Sequence, residues 1–125
     1  MPINPIEGTG FQLLQMALDA AGLRQQAIAS NIANAGTAGY QPLRVSFEDR
    51  LQSELSSMPS SHPLSEAALN RLRPEIETDT TATSGVALDQ QMALLSQNNV
   101  QYQALLKLLN GKFELASMAI NDGRK

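Results

Sequence analysis

Leu88, Met92, Leu95, Asn99, Tyr102, Leu106, Leu109, Phe113, Ala116 and Ile120 alternate four and three residues apart through the last third of the chain. That is the a/d spacing of a helix that packs along its length against another helix. A shorter stripe of the same kind runs through Phe11, Leu14, Leu18, Ala21, Gln25, Ile28 and Ile32. The spacing therefore predicts a mainly α chain: two long terminal helices pairing as an antiparallel coiled coil, with a short irregular or weakly extended middle segment. Such a chain suits assembly better than chemistry.

Local signals set the boundaries. Pro2 and Pro5 predict an extended segment over 1–9. Thr9-Gly10-Phe11-Gln12 matches a capping box, and the N-terminal helix of the coiled-coil core is expected over 10–36, ended by Gly36 with Gly39 close behind. The middle, 37–85, is rich in Ser, Thr and Pro. Within it Phe47 to Leu55 and Ser65 to Leu72 suit short helices, the second stopped by Arg73-Pro74, and Glu75 to Thr83 reads as weakly extended. One short strand cannot stand alone, so it needs a partner strand to be ordered. The C-terminal helix is expected over 86–122, with Asp89 in its first turn and Gly123 ending it. At 1.5 Å per residue it is a rod of about 52 Å, against about 37 Å for the first helix.

Leu13, Met16, Leu23, Leu94, Leu105, Leu108 and Leu115 lie off both stripes and need cover. Two helices alone are marginal at this size, so oligomerisation is expected to supply the missing burial. Asn99 and Gln25 are polar members of apolar seams, and two readings stand for them: tolerated wet margins, or amides that penalise slipped pairings.

Several functions are disfavoured. The formal charge is −3 with scattered basic residues, so nucleic acid is a poor partner. There is no cysteine and hence no disulfide or thiolate metal site. No apolar run is long enough for a membrane span, and the N-terminus lacks the basic and apolar regions of a cleaved signal. His62, in Ser61-His62-Pro63, reads as a loop residue. Glu75, Glu77 and Asp79 read as a solvated edge rather than a cation site. No catalytic motif, cofactor fingerprint or metal-ligand spacing is present.

The most distinctive local sequence is Ala29-Ser30-Asn31-Ile32-Ala33-Asn34-Ala35-Gly36-Thr37-Ala38-Gly39-Tyr40-Gln41. On physical grounds it is a helix end running into a turn, with asparagines to bond backbone groups and glycines to allow positive φ. It resembles the N-terminal signature of the bacterial flagellar axial proteins (rod, hook and hook-associated), A-N-I-A-N-A-D-T-P-G-Y. Asn31, Ile32, Ala33, Asn34, Ala35, Thr37, Gly39 and Tyr40 match, while Ser30, Gly36 and Ala38 depart from Ala, Asp and Pro. Leu88-Asp89-Gln90-Gln91-Met92 and the run from Gln101 to Phe113 resemble the proximal-rod branch of that family.

The resemblance implies a structural subunit, not an enzyme, whose terminal helices pack in the inner layer of a helical tube that carries torque from motor to hook. It implies a place in the flagellar basal body, in the periplasmic rod, reached by type III export without signal cleavage. The partners implied are further copies of the chain, the neighbouring rod proteins (FlgC, FlgF and FlgG-like), the adaptor FliE and the export gate. The turn residues Asn31, Ile32, Ala33, Asn34, Thr37, Gly39 and Tyr40 come with the motif. The assembly seam is expected at Leu14, Leu18, Ile28, Leu88, Met92, Leu95, Tyr102, Leu106, Leu109, Phe113 and Ile120. Phe47 and Leu51, four apart on one helical face, resemble the segment by which early export substrates dock on the gate; the plainer reading is that they pack on the helical pair. Two other functions stand beside the proximal-rod one: another rod or axial protein (FlgC-like), and a soluble helical-hairpin adaptor.

Overall fold

A computed structural model describes residues 8–58 and 64–123. His62, with Pro59 and Pro63, and the proline-bearing start of the chain lie outside the described residues. The elements are α1 (Thr9–Ala33), β1 (Leu43–Arg44), α2 (Phe47–Ser57), α3 (Glu66–Arg71), β2 (Glu77–Thr78) and α4 (Leu88–Asp122).

α1 and α4, 25 and 35 residues long, lie antiparallel. Asn31 meets Gln91 near one end, Ala21 and Gln25 meet Asn98 midway, and the rings of Phe11 and Phe113 meet edge-on at 5.9 Å at the other. This is the paired-helix architecture expected of the two stripes.

The helix ends differ from expectation in detail. Gly8, not a box-forming Thr9, caps α1: it is extended (φ −79°, ψ 163°), and its carbonyl accepts from the amides of Phe11 and Gln12. Thr9 is already helical, so its hydroxyl is one residue too late to cap. At the other end Asn34 rather than Gly36 is the C-cap, and Gly39 supplies the left-handed residue of the following turn (φ 77°). In α3, Ser65 caps through a bond its side chain accepts from the Ala68 amide.

The middle holds short helices and a short extended stretch where the sequence suggested them. It also holds the partner strand that the sequence did not reveal. Leu43–Arg44 pairs antiparallel with Glu77–Thr78, with Leu43 opposite Thr78 and Arg44 opposite Glu77. The pairing turns the middle back onto α1 and creates a compact apolar cluster. Phe47 and Leu72, each 1% exposed, pack there with Ala20, Val45, Leu64, Ala68 and Leu69. Burying a side chain the size of Phe47 contributes about 1.5–3 kcal/mol.

Leu13, Met16 and Leu23 pack against this cluster. Their cover comes from the chain's own middle segment, not from other subunits, which corrects the expectation for these three. α1 thus lies between two layers, α4 on one side and the middle on the other. Polar contacts fasten them. The Arg24 guanidinium donates to Glu48 (Nη1 to Oε1, 3.1 Å) and to the Val45 carbonyl (3.0 Å), while Gln101 of α4 donates to the same Glu48 carboxylate at 3.4 Å.

Candidate assembly surface and signature turn

Asn31 is the hub of the turn. It is 1% exposed in the last turn of α1 and uses both amide hydrogens and both Oδ1 lone pairs. Its Nδ2 donates to the Leu43 carbonyl at 2.9 Å and to Gln91 Oε1 at 3.0 Å. Its Oδ1 accepts from the Leu43 amide at 2.8 Å and from the Tyr40 hydroxyl at 3.1 Å. Asn31 therefore pairs with Leu43 as a neighbouring strand would, and this fixes its amide orientation, since a carbonyl cannot donate.

Tyr40 gives its single hydroxyl hydrogen to Asn31, so in the 2.8 Å contact between Ser30 Oγ and Tyr40 the serine donates. Ser30 thus adds a bond that alanine, the usual residue of the flagellar signature at this place, cannot make. Asn34 organises the rest. Its Nδ2 donates to the Ser30 carbonyl at 2.9 Å, and its Oδ1 accepts from Thr37 Oγ1 at 3.2 Å. Backbone bonds from Thr37 to Asn34 and from Tyr40 to Thr37 close the loop before Gly39 admits the chain to β1. The structure brings Asn31, Asn34, Thr37, Gly39 and Tyr40 into one network. Ile32 is half-buried and Ala33 exposed, and neither side chain joins it.

The α4 surface is arranged differently from the stripe. The line that faces α1 runs through Gln91, Asn98, Leu105 and Lys112, interleaved with Leu95, Leu109 and Ala116; Gln91, Asn98 and Ala116 are its buried members. It lies one residue from the predicted Met92, Asn99, Leu106 and Phe113. The seam amide is accordingly Asn98, not Asn99, and it donates to the Ala21 carbonyl (2.9 Å) and to Gln25 Oε1 (3.2 Å). The displacement has a simple cause. Amides occupy the centre of the contact, so the hydrophobic pattern peaks on the neighbouring flank. Leu14 and Ile28 are buried, and Leu18, Leu95, Leu106 and Leu109 half-buried. Leu88, Met92 (50%), Tyr102, Phe113 (45%) and Ile120 are exposed. A second set of exposed apolar residues, Val100, Leu108, Leu115 and Met118, lies elsewhere on α4. Nothing in the hydrophobic pattern singled out Gln91, Leu43 or Asn98; the only signal was polar residues of helical spacing inside an apolar segment.

Phe47 and Leu51 both face the core cluster, so in the folded chain their common face is occupied by packing. Glu77 pairs with Arg44 at 3.2 Å. Asp79 Oδ1 accepts from the Thr81 hydroxyl (2.6 Å) and amide (3.0 Å), and these bonds, the hydroxyl one foremost, hold its carboxyl below the usual range. Among the described residues no cluster of ligating side chains could hold a metal, and no helix is long and apolar enough to cross a membrane.

Comparison with known proteins gives this geometry a context. The family described as "Flagella basal body rod protein" matches residues 8–41, which is α1 and the turn that Asn31 organises. The flagellar basal body rod protein FlgB of Bacillus subtilis (strain 168) is 30% identical, the alignment covering 91% of this chain and 95% of that protein. FlgB of Escherichia coli (strain K12) is 28% identical over 80% of this chain and 84% of its own length, and FlgB of Proteus mirabilis (strain HI4320) 26% identical over 97% and 99%. The similarity runs through both long helices and the middle between them, in a family that is structural rather than enzymatic. The chain belongs to the FlgB family of flagellar basal body rod proteins.

Proposed function

We propose that this chain is a subunit of the proximal rod, and that its exposed α4 stripe is the surface through which torque passes between subunits. The observation that carries the reading is the combination of a rod-family chain with a 35-residue helix whose apolar residues are largely left in solvent. Exposed apolar surface of this extent marks an interaction site. A rod that must not slip is better served by many shallow apolar contacts spread over its length than by one deep pocket. On this reading α1, the turn and the middle form a rigid bracket that presents α4, and the neighbours are further copies, FlgC-, FlgF- and FlgG-like rod proteins and the adaptor FliE. The chain reaches the rod through the type III export gate without signal cleavage.

The test is to express Leu106→Asp and Met92→Asp variants in cells lacking the native gene and score swimming and rod assembly, with circular dichroism on the purified proteins. Both variants are expected to keep their helicity and lose motility, because each places a carboxylate in a seam that becomes fully dry only in the rod. Normal swimming by both would contradict the seam.

A further inference from the structure

Two glycines sit in helix interiors where the chain's own fold gives them no task. A β-carbon added at Gly22 of α1, or at Gly111 of α4, meets no atom within 4 Å. Glycine inside a helix is unfavourable compared with alanine, and its usual return is close approach by another backbone or ligand. Among the described residues nothing makes that approach at either position.

Gly22 lies in the floor of an open groove of about 740 Å³ between α1 and α4, walled by Leu18, Tyr102, Leu106 and Leu109. A second, adjoining cavity lined by Gln25, Asn98 and Asn99 shares Gly22, Gln26 and Tyr102 with the groove, so the open space continues along the α1–α4 seam. Gly111 belongs to a different face. With 3.6 residues per turn, Val100, Ala104, Leu108, Gly111, Leu115 and Met118 share a sector of about 80° turned away from Asn98. They form a ridge with two small residues in it. Leu108, 60% exposed, stands at its middle.

We infer that the Gly22 groove of one copy receives the Val100–Met118 ridge of a second copy. Groove and ridge lie on separate faces of one chain, so the contact is heterologous: each copy accepts one neighbour and offers itself to another, and the series does not close on a dimer. Charges support the same occupant. Asp19 and Arg73 line the groove, and Lys107 and Glu114 stand along the ridge, one acid and one base on each side. None of the four makes an ion pair within the described residues. The inference rests on the rod reading and deepens it by naming which face meets which.

The chain has no cysteine, so single cysteines can be placed freely. Gly22→Cys and Leu108→Cys variants of the full chain are mixed and oxidised at concentrations where the unmodified protein associates in sedimentation velocity. The mixed 22–108 disulfide is expected to exceed both like pairs at least fivefold. Gly22→Leu, whose β-carbon meets no atom within 4 Å in the monomer, is expected to keep its helicity and lose association. Predominance of the 22–22 product would mean a symmetric contact and overturn the assignment. Association without any 22–108 product would overturn it while leaving the rod reading intact. An unmodified chain that stays monomeric at every concentration would also overturn it, and the motility of Leu106→Asp would then judge the rod reading separately.

Discussion

Asn31 and Gln91 are sixty residues apart in sequence and meet in a buried 3.0 Å hydrogen bond that joins the end of α1 to the start of α4. The same asparagine holds both backbone polar groups of Leu43 and the hydroxyl of Tyr40. One side chain thus ties both long helices to the first strand of the middle segment. The bracket that presents α4 depends on it.

Asn31→Ala removes all four bonds and strands the buried Gln91 Oε1 and the Leu43 groups. A buried polar group left unmatched costs about 1–3 kcal/mol. The variant is expected to lose about 2–4 kcal/mol of unfolding free energy in a urea titration. Gln91→Ala, which leaves the Leu43 and Tyr40 bonds in place, is expected to lose less than half as much.

Arg24 is the corresponding fastener at mid-length, with its guanidinium on Glu48 and the Val45 carbonyl. Arg24 is the more buried partner and Glu48 stays 42% exposed, so the pair is screened by solvent. Arg24→Ala is expected to cost about 1 kcal/mol at low salt, and the difference from the unmodified chain should shrink as ionic strength rises. Parallel denaturation curves at two salt concentrations check this.

Phe47→Ala is expected to cost about 3–5 kcal/mol, because the ring is buried in the core cluster. Leu72→Ala empties the same cluster but leaves the Phe47–Leu51 segment unchanged. Secretion of the two variants therefore separates docking from stability. If the segment is read by the export gate from the unfolded chain, only Phe47→Ala loses secretion. Equal secretion of both removes the docking role.

Asp79 gives a pH signature of known sign. Its carboxyl is held below the ordinary value of 3.8, chiefly by the Thr81 hydroxyl. A group with a lowered folded-state pKa stabilises the fold above its unfolded value and loses that contribution as pH falls through the folded one. Thr81→Val is therefore expected to lower stability at pH 6, and its difference from the unmodified chain to shrink as pH falls through the folded-state value. An NMR titration of the Asp79 side chain in both proteins checks the cause.

Much of the fold is legible in the residues. The 3.5-residue spacing of Leu14, Leu18, Leu95 and Leu109 identifies two long helices, and Arg73-Pro74 stops the short helix before it. The contact line on α4 is harder to read, because Gln91 and Asn98 are polar and hydrophobic periodicity points to Met92 and Phe113 beside them. β1 is hidden for another reason. Leu43–Arg44 is too short to show a period, and its order comes from Asn31 and Glu77, partners distant in sequence. Leu13, Met16 and Leu23 look uncovered until that strand pair folds the middle over them. The signature turn is the part most open to reading, since asparagine, threonine, glycine and tyrosine each act there through local bonds.

The central claim is that the outward flank of α4 is wet in the lone subunit and dry in the rod. A Met92→Cys variant tests it directly, by comparing the thiol-labelling rate of the dilute protein with that of isolated basal bodies containing it. Met92 is half exposed in the folded chain, so the dilute protein is expected to label at close to the rate of a free thiol. In assembled rods the rate is expected to fall at least a hundredfold. Equal rates in the two states would show that this flank faces solvent in the rod, and would contradict the account.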